Sequence, residues 1–286
     1  MVVVESSSFR IGFSGDLGRS DDSILYPPSD LPAVDYLVVE STYGNRKHDP
    51  ISSKENLEAV VNEALMHSGV VLIPAFAVGR AQSLMHSLSE LKKEKRIPNV
   101  PMYLNSPMAI NVTELFHHFK NLHKLSDTQC KEMADAVQYV RTTDESKALN
   151  EKKGPMIIIS ASGMATGGRI VHHLKAFVSD PTTTVALAGY QAAGTRGRAL
   201  QDGAQEIKIH GHYLPVRATI RSLENVSAHA DYVEIIDWLI KSKISPKKVF
   251  ITHGEAESAL MMKEHLIKQF NWTCEIPRQD QEFTLE

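Results

Sequence analysis

A recurring unit constrains this 286-residue chain more than any other feature. A short run of apolar, β-branched residues breaks off at a polar or glycine-rich turn and gives way to helical periodicity. FRIGFSGD (9–16), DYLVVESTYG (35–44), GVVLIPAFAVGR (69–80), GPMIIISASGMATGGR (154–169), TVALAGYQAAGTRGR (184–198) and KKVFITHGE (247–255) all take this form. Between them, 53–68, 81–95, 169–178, 232–243 and 256–270 space apolar residues three and four apart, as helices covering a sheet do. Repeated strand-loop-helix units predict an α/β protein. The stretch 113–150 is polar and weakly periodic, which reads as irregular helices on an inserted subdomain.

Ligands of open α/β sheets gather beyond the carboxyl ends of strands, where loops converge and helix N-termini point. Asp16 closes the first apolar run, Glu40 the second and His253 the last, while His229 precedes a helix. Two acids and two histidines at one rim suit a metal ion and a proton-transfer step. Each has a structural alternative. Asp16 could shape a turn before Gly18, Asp231 could be an N-cap, and either histidine could be a hydrogen-bonded packing residue.

The other histidines fit a shared ion poorly. His117 and His118, like His172 and His173, are adjacent on predicted helices and diverge by about 100°. His210 and His212 lie two apart on a predicted strand and face the same way, but no carboxylate and histidine follow, so they read as structural. With only Cys130 and Cys274 in the chain, a metal here needs histidine and carboxylate ligands.

The glycine-rich turns offer backbone N–H groups to phosphate oxygens, the first with Ser160, Ser162, Gly163 and Gly167. Arg80, Arg169, Arg196 and Arg198 add positive charge at the same kind of strand end, either for a polyanion or as solvated surface charge. The net charge of −3 gives no overall attraction for nucleic acid, so such a substrate needs a local basic groove. No apolar run is long enough to span a membrane and the first residues lack a basic leader, which predicts a cytoplasmic protein without membrane contact.

In order and wording, eight motifs resemble the β-CASP branch of metallo-β-lactamase-fold RNA-processing nucleases. SGDLGR (14–19) is similar to the fourth metallo-β-lactamase motif, and ESTYGNR (40–46), NVSAHAD (225–231) and ITHGE (251–255) are similar to β-CASP motifs A, B and C. IPAFAVGRAQ, NSPMA, SASGMATGGR and GYQAAGTRGRAL are similar to the β-CASP insert. The resemblance implies an incomplete αββα sandwich formed by residues 1–45 and 227–286, with a β-CASP α/β domain inserted at 46–226. It further implies that Asp16 bridges two zinc ions, that His253 ligates one of them, and that Glu40 orients His229 beside the leaving oxygen.

The family's HxHxDH ligand loop has no match in residues 1–286. The expected function is therefore a zinc-dependent hydrolase of single-stranded RNA, shortened and catalytically incomplete alone. Uncovered apolar sheet surface and a homodimer or a partner supplying the first half are expected with it. The alternatives are a non-catalytic RNA-binding or scaffolding subunit beside an active relative, and a small-molecule metallo-hydrolase.

Overall fold

The computed structural model describes residues 1–49, 51–66 and 69–286. The chain begins with β1 (Val2–Glu5), β2 (Arg10–Phe13) and β3 (Tyr36–Glu40). It continues through α1 (Ser53–Leu65), β4 (Val70–Pro74), α2 (Arg80–Lys93), β5 (Met102–Asn105), α3 (Pro107–His118), α4 (Asp127–Asp135) and β6 (Gln138–Tyr139). Next come α5 (Thr143–Glu151), β7 (Met156–Ser160), α6 (Ile170–Phe177), β8 (Thr184–Ala188), α7 (Arg196–Gln201), β9 (Glu206–Ile209), β10 (His212–Pro215) and β11 (Thr219–Leu223). It closes with α8 (Tyr232–Ser242), β12 (Lys248–Thr252), α9 (Ala256–Phe270) and β13 (Cys274–Glu275). These elements form two compact units, residues 1–48 with 228–286 and residues 49–227.

The first unit holds one five-stranded sheet in the order β1-β2-β3-β12-β13, antiparallel only between β1 and β2. Strand alternation sends Val3, Gly12, Leu37, Val249 and Cys274 to one face through successive cross-strand pairs. There they meet Ile235, Trp238 and Leu239 of α8 and Met262 and Leu266 of α9 in a single core. The opposite face carries Val2, Val4, Phe13, Tyr36 and Phe250. Part of it is covered by the end of the chain: Phe283 packs on Phe250 at 4.8 Å between ring centroids, and the Tyr36 hydroxyl bonds the main chain of Glu286. Val2, Val4 and Phe13 stay exposed, at 60%, 49% and 37%, so apolar sheet surface is open on this side as expected.

The second unit is built on a six-stranded parallel sheet, β11-β8-β4-β7-β5-β6, with a separate β9–β10 hairpin. Strands β4, β7 and β8 are buried along their whole length, which is why they read as continuous apolar runs rather than alternating ones. Leu72, Ile158, Val185 and Leu187 from the sheet pack with Ile170, Leu174 and Phe177 of α6.

The strands of the six strand-loop units and the five helices predicted between them are present. The last two positions of the first predicted helix, 67 and 68, lie outside the described residues. Two expectations are corrected. His210 and His212 do not share a strand: His210 (φ +47°) and Gly211 (φ +87°) are the two-residue turn of the β9–β10 hairpin, a turn that needs positive φ at both positions. The stretch 113–150 is regular, because Ser126 with Gln129 and Thr142 with Glu145 form capping boxes that start α4 and α5. Among the described residues no helix is long and apolar enough to cross a membrane.

Candidate active site

The first unit brings together four residues that end or follow strands. Glu40 is the last residue of β3 and its side chain is 1% exposed. A buried carboxylate is tolerable only among donors, and it has three. Oε1 accepts the Leu17 amide, while Oε2 accepts the Thr42 hydroxyl at 2.6 Å and faces His229 Nδ1 at 2.9 Å. The last contact holds an Nδ1–H of His229 against the carboxylate and leaves Nε2 for the site.

The segment carrying His229 is held by the loop that carries Asp16. Gly18 and His229 form an isolated antiparallel bridge, and the Ala230 amide donates to the Leu17 carbonyl at 2.8 Å. Asp231, two residues on, caps α8 by accepting the Val233 and Glu234 amides. Its N-cap reading is therefore the one the structure bears out.

His253 follows β12 with a left-handed backbone, φ +52°, which is costly for a residue with a Cβ. Gly254 then runs against Ser41, where a Cβ would come 2.4 Å from Oγ. His253 Nε2 lies 3.3 Å from Asp16 Oδ1, and its ring stacks near that of His229 at 5.9 Å. One ligand atom from each of Asp16, His229 and His253 lies within 4.8 Å of the others. One carboxylate and two imidazoles are the donor types zinc takes, and three protein ligands are what an open zinc site provides. The residues fit such an ion.

The residues predicted to meet phosphate lie in the second unit. Ser160 is buried, and its hydroxyl donates to the Asn105 carbonyl at 2.9 Å. Ser162 and Gly167 bond to each other across the turn, and a Cβ on Gly163 would come 2.7 Å from the Phe76 ring. Arg169 donates to Asn105 Oδ1 and to the Val140 and Arg141 carbonyls. Arg196 donates to the Lys208 and Ala165 carbonyls, and Arg198 pairs with Asp202 at 2.8 Å. Arg80 is buried at the start of α2.

Of the adjacent histidines, His173 is fully buried between Asn105 and Asn150, at 2.7 and 2.5 Å. Desolvation, then its neighbours His172 and Arg169, push its pKa down to about 4. It is a neutral packing residue.

A Beta-Casp domain model matches residues 81–200, and a model described as a Zn-dependent metallo-hydrolase RNA specificity domain matches residues 213–277. Ribonuclease TTHA0252 of Thermus thermophilus is 36% identical over 269 residues, covering 91% of this chain and 61% of that protein. The chain belongs to the β-CASP family. It is thus a metallo-β-lactamase-fold protein with a β-CASP insert. The RNase J-like protein of Methanocaldococcus jannaschii is 31% identical over 265 residues, 91% of this β-CASP chain and 61% of its own length. Transcription termination factor FttA of Methanosarcina mazei is 29% identical over 286 residues, at 92% and 45%. The chain therefore spans about three-fifths of the length of the first two relatives and under half of the third.

Sequence reasoning missed two neighbours of this β-CASP site. Thr42 is buried with its hydroxyl 3.3 Å from His229 Nδ1, and His48 is buried with Nε2 2.9 Å from the His229 carbonyl. Both fall in or just after ESTYGNR, and their place in that motif was the available signal.

Proposed function

We propose that this chain carries the metal-contacting and proton-transfer side chains of a zinc-dependent RNA phosphodiester hydrolase of the β-CASP type. The observation that carries the proposal is the buried Glu40 bonded to His229 Nδ1 at 2.9 Å, beside Asp16 and His253. Asp16 and His253 would hold zinc, which when bound supplies a Lewis acid that polarises the phosphodiester. Glu40 holds Nδ1–H and stabilises the charged ring, so that the Nε2–H of the imidazolium is the group that delivers a proton to the leaving oxygen and leaves His229 neutral. The names of the relatives, a ribonuclease and an RNase J-like protein, support RNA as substrate.

The same proposal assigns residues 46–226 as the insert and gives it the RNA backbone. Ser162, Gly163, Gly167, Arg80 and Arg198 meet phosphate, while Ser160, Arg169 and Arg196 hold the turns in shape through the carbonyls they bond. With His229 kept for proton transfer, Asp16 and His253 are too few donors among the described residues for two zinc ions, so residues 1–286 are catalytically incomplete by themselves and work with a partner or further chain.

Zinc titration and a single-stranded RNA assay on the purified chain test this. Weak zinc binding, lost in Asp16→Asn and His253→Gln, is expected, with RNA affinity that falls steeply with salt. Robust cleavage with two zinc ions bound would overturn the incompleteness, and no RNA binding at low salt would overturn the RNA assignment. RNA binding indifferent to chelator and to both substitutions favours the non-catalytic subunit instead.

A further inference from the structure

An imidazole delivers a proton to one chosen atom only if its ring is held still. The His229 side chain is 22% exposed, and a hydrogen bond to Glu40 does not by itself fix the plane of the ring. Two other side chains add to that hold.

Thr42 acts on the ring. Its hydroxyl has one hydrogen, and the carboxylate oxygen of Glu40 at 2.6 Å takes it in preference to the His253 carbonyl at 3.2 Å. The hydroxyl oxygen then turns its lone pairs to His229 Nδ1, 3.3 Å away, so the ring proton is shared between Glu40 and Thr42.

His48 acts on the main chain. It donates Nε2–H to the His229 carbonyl at 2.9 Å. Its own position is fixed by the Tyr43 ring at 4.8 Å and by its amide, which donates to Asp231 Oδ2 at 2.7 Å. Asp231 Oδ1 is meanwhile bound to the first turn of α8, so His48 is anchored to a helix.

His48, Asp231 and Glu234 also have ligand atoms within 4.8 Å of one another. These atoms already have work. Both Asp231 oxygens accept amides, Glu234 Oε2 accepts the Asp231 amide at 3.1 Å, and the His48 Nε2–H is given to a carbonyl. The cluster holds a backbone rather than an ion.

We propose that His48 and Thr42 are positioning residues that fix His229 at two points, its main-chain carbonyl and its ring Nδ1. The inference rests on His229 being the proton-transfer residue proposed above.

The test is imidazole NMR on the full 286-residue chain, labelled at histidine and free of metal and RNA, so the result stands whether or not the chain cleaves RNA. The His229 Nδ1 proton is assigned by its loss in His229→Gln. Thr42→Val and His48→Phe remove the hydrogen bonds at similar volume, while Thr42→Ser and His48→Gln return a hydroxyl and an N–H donor. Exchange of the Nδ1 proton with solvent is expected to be about tenfold faster in the first pair, the scale of one hydrogen bond, and restored in the second. Unchanged exchange in Thr42→Val and His48→Phe overturns the proposal. So does an equal rise in all four variants, which would mean general loosening. If Val or Phe prevents folding, Thr42→Ala and His48→Leu are read in the same way.

Discussion

Glu40 connects the candidate site more than any other residue. Its carboxylate reaches the Asp16 loop through the Leu17 amide, His229 directly, and the turn after β3 through the Thr42 hydroxyl. Removing it strands three buried or half-buried donors at once. Glu40→Ala is therefore expected to cost about 3 kcal/mol, with Glu40→Gln costing less because the amide oxygen still accepts. Urea denaturation of the three proteins checks this, and a loss indistinguishable from wild type would show that the hub carries no stability. Asp16, Glu40, His229 and His253 were legible because each stands where an apolar run ends or a helix begins. Thr42 and His48 were not, because their roles depend on the path of a turn that brings position 42 to position 229, and no local pattern encodes that path.

Helix and strand signals were readable where burial is complete. MIIIS and TVALA lie inside a parallel sheet and have no polar alternation to confuse them. The β9–β10 hairpin was hidden because its turn is His-Gly rather than a common Asn-Gly, so two strands read as one. The helices of 113–150 read as irregular because their apolar periodicity is weak, although their capping boxes stood in the sequence. At this scale His173 of α6 gives a pH prediction. Its ordinary pKa of 6.5 falls to about 4 on folding, so between those values the unfolded chain binds a proton that the native one does not. Stability is full above about pH 6.5 and declines as pH drops toward 4, by about 3 kcal/mol in all. Denaturant titrations at pH 7 and pH 5 should show the decline in wild type and less of it in His173→Gln. Equal pH dependence in the two proteins would remove His173 as the cause.

The whole molecule depends on which apolar faces are covered. The end of the chain shields Tyr36 and Phe250, next to the open Val2, Val4 and Phe13. Removing residues 277–286 is expected to merge these into one apolar face and promote self-association. Sedimentation velocity over a concentration series checks this, and a monomer at every concentration would show that the tail is not a cover. The chain also leaves its first unit after position 48 and returns at 228. Glu40 and His229, in contact, stand 189 positions apart, so the second unit is a single closed loop as far as that contact is concerned. The entropy of closing a loop grows only logarithmically, about 0.6 kcal/mol per doubling of its length. Evolution can therefore lengthen, shorten or remodel the inserted body at small thermodynamic cost, provided its two ends are delivered to the same place. The contact between Glu40 and His229 cannot assemble during synthesis until the whole insertion has been made.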